Sequence, residues 1–102
     1  MPSQRVHSIA PILVNGVKIT QVIIDPHYEE KHAGSIDDAL ILRLIRRLDG
    51  RRELPDSKSD QYSYFATLIE LNSKQYRLVW LLEKDAIYVG VVNAYRDRRR
   101  RS

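Results

Sequence analysis

The apolar positions change period twice along the chain, and the expected elements follow from those changes. Ile12-Leu-Val-Asn-Gly-Val-Lys-Ile-Thr-Gln-Val-Ile-Ile24 holds two runs of aliphatic and β-branched residues around Asn15-Gly16. Asn-Gly is the preferred pair for a type I′ turn, because both central residues need φ > 0. A hairpin is therefore predicted, with strands near 10–14 and 17–24. Residues 1–9 are mixed in character and are expected to be loose.

Helical spacing takes over at Asp25-Pro26, where Asp suits the N-cap and Pro the first helical position. A short polar helix is predicted over His27-Tyr-Glu-Glu-Lys-His-Ala33, with His27 beside Lys31 and Tyr28 beside His32. A second helix follows Gly34. Ser35 is the expected cap, and Asp37 and Asp38 fall in the first turn, where the helix dipole favours negative charge. Ile36, Leu40, Ile41, Leu44, Ile45 and Leu48 make an apolar stripe at helical spacing, with Arg43, Arg46 and Arg47 off it and Gly50 closing the helix.

After a polar loop over residues 51–60, alternation returns. Gln61 to Leu71 reads as a strand rich in aromatic and β-branched residues. The longest apolar block, Gln75 to Arg96, reads as two strands joined by a two-residue turn at Lys84-Asp85. That turn pairs Trp80 with Val89 and Arg77 with Val92, so Arg77 shares a face with Ala94 and Arg96. Tyr76, Trp80, Asn93 and Tyr95 then point the other way. With Ser73-Lys74 as the preceding turn, Glu70 sits opposite Arg77. Trp80, mid-strand among apolar neighbours, is expected in the core.

The expected fold is α+β: an N-terminal β-hairpin, two helices, then a three-strand antiparallel meander, in a single sheet packed on the helices. Both faces of the last strands are apolar near the middle. Helices would cover one, and the N-terminal hairpin or a second subunit part of the other.

Composition narrows the class. A chain of 102 residues, 43% of them hydrophobic, suits one core, so residues 1–102 form one domain with its core at about 10–96. Cysteine is absent, which excludes disulfides and thiolate metal sites. No apolar run approaches the roughly 18 residues of a membrane-crossing helix. Met1-Pro-Ser-Gln-Arg-Val-His7 lacks the order of a secretory signal, so a cytoplasmic location is expected. The net charge is +4, and Arg98–Arg101 alone supply as much. This tail over residues 97–102 either holds phosphate non-specifically or is a solvated terminus.

Few motifs carry chemistry by themselves. His27 and His32 are five apart, off the spacing that puts two metal ligands on one helix face. There is no Gly-rich phosphate loop and no Gly-x-Ser-x-Gly elbow. No metal and no cofactor is expected.

Three stretches are more particular: His27-Tyr-Glu-Glu-Lys-His32, Tyr76-Arg77-Leu78 and Asn93-Ala-Tyr-Arg96. With a short histidine-bearing helix, a longer amphipathic helix and then strands, the chain from roughly 20 to 97 resembles the compact toxin domains of the RelE/ParE type. More broadly it resembles the barnase–EndoU–colicin–RelE grouping of small ribonuclease folds. The resemblance implies metal-independent cleavage of RNA. Its residues would be His27, Lys31 and His32 on the first helix, Arg77 on the strands, and Tyr95 and Arg96 at their end. It also implies a cognate antitoxin as partner. The residue types suit that chemistry, with imidazole for proton transfer and guanidinium for a pentacoordinate phosphate.

Two departures stand out. The hairpin at Asn15-Gly16 is extra, and Glu29 and Glu30 make the first helix acidic. Other readings stay open: a non-catalytic interaction module of the same fold, a homodimer through the hairpin edge, or a ParE-like inhibitor of a topoisomerase. Arg77 could equally form an ion pair with Glu70.

Overall fold

The computed structural model describes residues 4–32 and 34–98. Six strands form one mixed sheet: β1 (Arg5–Val14), β2 (Val17–Ile24), β3 (Ser57–Lys58), β4 (Tyr62–Leu71), β5 (Lys74–Glu83) and β6 (Tyr88–Arg96), in the order β1-β2-β6-β5-β4-β3. A 3-10 turn (Pro26–Tyr28), α1 (Glu29–His32) and α2 (Asp38–Arg46) lie between β2 and β3. The α+β class stands, but the three-strand antiparallel meander does not. The hairpin joins the same sheet through a parallel pairing of β2 with β6, from Gln21 opposite Tyr88 to Ile24 opposite Val91. It therefore widens the sheet instead of covering its second face.

The first hairpin forms as its turn residues dictate. Asn15 and Gly16 have φ of 51° and 76°, and Val14 pairs with Val17. β1 runs back to Arg5, so residues 5–9, expected to be loose, are half of an edge strand. At the next boundary Asp25 accepts the His27 N–H at 2.9 Å, with Pro26 just inside the turn. The cap of α2 is Asp37, whose Oδ1 accepts the Leu40 N–H at 2.8 Å. Ser35 serves the preceding helix instead, its N–H meeting the His32 carbonyl at 3.0 Å. α2 lays Ile41, Leu44 and Ile45 on the sheet, all fully buried.

On this helix-covered face Val22, Ile24, Phe65, Ile69, Leu78, Trp80, Val89 and Val91 make the core. Trp80 stacks on Phe65 with ring centres 4.0 Å apart. Its indole N–H donates to the Thr67 hydroxyl at 2.9 Å, which donates onward to Glu53 at 2.9 Å. A buried N–H without a partner costs its full desolvation. Thr67→Val keeps the shape and removes the acceptor, so it should lower stability by about 1–3 kcal/mol. Urea unfolding that shows an unchanged midpoint would sink this account.

Two register corrections decide which side chains meet. The turn between β4 and β5 is Asn72-Ser73, with φ of 54° and 65°, not Ser73-Lys74. Glu70 consequently faces Gln75, and Leu68 faces Arg77. Between β5 and β6 the connection runs over residues 84–87 rather than Lys84-Asp85 alone, so Trp80 pairs with Val91 and not Val89, and beyond it Val79 pairs with Asn93, leaving Val92 as an extra residue. A bulge of this kind flips every later side chain to the other face. Arg77 thus opposes Tyr95, and Arg96 opposes Tyr76 on the core side. The tail arginines 99–101 lie outside the described residues. Among the described residues no helix is long and apolar enough to cross a membrane.

Candidate functional site

The bulge at Val92 places Tyr95 in the same row as Arg77, on the face of the sheet away from α2. His32, the last residue of α1, reaches that row from the side: its ring stacks on Tyr95 with centres 5.5 Å apart and planes 29° off parallel. The stack is possible because β6 runs beyond the last pair with β2, and the turn after β2 packs beside it. The His32 backbone is anchored as well, since its carbonyl accepts from both Ser35 and Ile36. Of the six sequence-derived candidates, His32 and Tyr95 are in ring contact, and Arg77 lies opposite Tyr95 on the neighbouring strand.

The Arg77 guanidinium is aimed by a residue that sequence reading missed. Asp97, 7% exposed, accepts from Arg77 Nη2 at 3.1 Å. Its own backbone N–H bonds the Gln75 carbonyl, which continues the β5–β6 pairing past Arg96. Only the bulge puts Asp97 on Arg77's side, and no local sequence signal marks it.

The other three candidates sit elsewhere. His27 is exposed in the 3-10 turn and pairs with Glu30 at 3.1 Å rather than lying beside Lys31. Lys31 is exposed on α1. Arg96 faces the helix side opposite Tyr76, and its buried Nε has no hydrogen-bond partner among the described residues.

A second polar group lies at the edge of the core. Asp38, in the first turn of α2, accepts from Arg5 Nε at 2.6 Å and Nη2 at 2.7 Å, from the Tyr28 hydroxyl at 2.7 Å, and faces His7 Nε2 at 3.1 Å. The Arg5 fork, with help from Tyr28 and His7, holds the Asp38 carboxyl far below the usual carboxylate range. Burial, and then the bond to Asp38, pushes the Tyr28 phenol up to about 12. This cluster ties β1 to both helices. Its signal was the spacing of Arg5 and His7, two apart on one strand face.

Among the described residues no group of three or more His, Asp or Glu side chains is arranged to hold a metal. Comparison of the chain with protein-family models, with curated proteins and with solved structures finds no match.

Proposed function

We propose that the chain is a RelE-like, toxin-type domain that cleaves RNA without a metal, with His32, Tyr95 and Arg77 at the scissile phosphate. The observation that carries this reading is that His32 stacks on Tyr95 while Arg77 lies opposite Tyr95 on the neighbouring strand, which gathers residues 32, 77 and 95 from three elements. In the reaction the 2′-oxygen attacks phosphorus, its proton passes to a base, and the bond to the 5′-oxygen breaks as that oxygen gains a proton. His32 is the proton-transfer group. Arg77, held by Asp97 through one nitrogen, neutralises the charge that builds on the phosphate oxygens. Tyr95 carries the imidazole on its ring and brings a second hydroxyl to the same place.

Expression of the wild-type chain should arrest growth and fragment cellular RNA, and Arg77→Ala should do neither. With purified protein, cleavage should continue in excess EDTA. Intact RNA from the wild type sinks the enzyme reading, and cleavage that EDTA stops sinks its metal-independent part.

A second reading has one observation in its favour. β1 is an edge strand with Val6 59% and Leu13 52% exposed, as a strand-pairing interaction module would have. A chain that leaves RNA intact and sediments as a dimer would favour it.

A further inference from the structure

The open face of the sheet holds more than the His32–Tyr95–Arg77 row. Two rows away, Ile23, Gly90, Leu81 and Tyr64 lie side by side across β2, β6, β5 and β4. Beside them Tyr88 and Tyr62 close a concavity of about 420 Å³, within the range of small-molecule sites. Its floor depends on Gly90. A Cβ there would stand 2.9 Å from Leu81, so glycine lets Leu81 lie flat on the strand.

The aromatic walls are held in place. The Tyr88 hydroxyl donates to Glu83, whose other oxygen accepts from Gln61 at 3.0 Å. The Tyr62 and Tyr64 rings sit 6.1 Å apart. Tyr64 remains 37% exposed, a ring with one free side.

Charge decides what such a concavity takes. Among the described residues Asp25 is its one charged lining residue, and no cation lines it. Phosphate is therefore disfavoured inside, whereas a planar, uncharged π system stacks on tyrosine without needing a counter-charge. The cation for a phosphate lies on the same face at Arg77, four residues from Leu81 along β5, which is about 13 Å at the rise of a strand. That split matches a nucleotide strand, with neutral planar bases joined by charged links.

We propose that this tyrosine-lined concavity over Gly90 is a nucleobase subsite, which seats a base of single-stranded RNA while a phosphate of the same strand lies at Arg77. The inference rests on the RNA reading above, and adds where the substrate is gripped. A dinucleotide at Arg77 is too short to reach it, and a longer oligonucleotide fills both.

The test uses the full chain and a labelled oligoribonucleotide, with a dinucleoside monophosphate as the short substrate. Tyr64→Ala should weaken oligonucleotide binding roughly 10-fold or more. It should leave dinucleoside cleavage unchanged, and Tyr64→Phe should restore binding. Gly90→Ala, which drives Leu81 up into the concavity, should weaken oligonucleotide binding in the same way. On the wild type, adenosine monophosphate should shift the Tyr64 and Tyr88 ring resonances and ribose 5-phosphate should not, a readout that requires no variant to fold. Wild-type binding and cleavage with Tyr64→Ala unaffected overturns the subsite and leaves the enzyme reading intact. A wild-type chain that neither binds nor cuts RNA overturns both.

Discussion

Replacing His32 with alanine should lower the rate of RNA cleavage by roughly 10²–10⁴-fold, the usual contribution of a positioned proton-transfer group. The substitution should be tolerated by the fold. His32 ends a four-residue helix with no buried residue, and its anchoring to Ser35 and Ile36 runs through its backbone carbonyl, which alanine retains. The stack on Tyr95 supplies the structural alternative, so two further measurements separate them. Added imidazole should restore part of the activity of His32→Ala, since a free base can enter the space the ring leaves. Tyr95→Phe keeps the stacking surface and should retain the orientation of His32, so any loss it shows reports the hydroxyl alone. A His32→Ala protein that cuts RNA at the wild-type rate removes His32 from the chemistry.

The largest stability effect is expected at Asp38. Asp38→Asn leaves the Arg5 fork and the Tyr28 hydroxyl around an uncharged group that cannot accept from all of them. Breaking a buried, hydrogen-bonded pair costs about 3–5 kcal/mol; with Arg5 about a third exposed, roughly 2–3 kcal/mol is expected here. In a domain of this size that is a fall in melting temperature of roughly 10–20 °C. The pH dependence has a definite sign. The Asp38 carboxyl is held well below its unfolded value, so the folded state binds fewer protons. Its contribution is fully present above about pH 4 and is lost progressively as pH falls below that, toward the depressed folded value. The wild type should therefore lose stability on acidification more steeply than Asp38→Asn. Parallel acid limbs in the two melting curves would show that Asp38 is not the group responsible.

What could be read from the residues was what short-range chemistry decides. Asn15-Gly16 needs two positive φ values, and Asp25-Pro26 offers a cap and a preset φ; both form as expected. The α2 stripe and Trp80 follow from apolar periodicity. The cap of α2 went to Asp37 over Ser35 because both residue types cap helices, and a two-residue difference lies below what local pattern resolves.

Long-range pairings were not legible. β1 carries Arg5 and His7 toward the core, a polar pattern that discourages a strand reading until Asp38, thirty-three residues from Arg5, is known to face them. Nothing local announces that β2 lies parallel to β6. The candidate site suffered most, because a single extra residue, Val92, decides which of Tyr95 and Arg96 joins Arg77. The inventory of site residues was within reach of sequence; their partition between two faces was not.

The parallel seam between β2 and β6 also bears on how the chain acquires its shape. β6 is inserted between β2 and β5, so until residues 88–96 are present the sheet consists of two pieces with facing, unpaired edges. The N-terminal hairpin and the β4–β5 pair each rest on pairings close in sequence, and β6 joins the two. The pairing spans most of the chain, which makes it a slow, entropically costly closure. Loss of the final strand would accordingly remove the centre of the sheet rather than its margin.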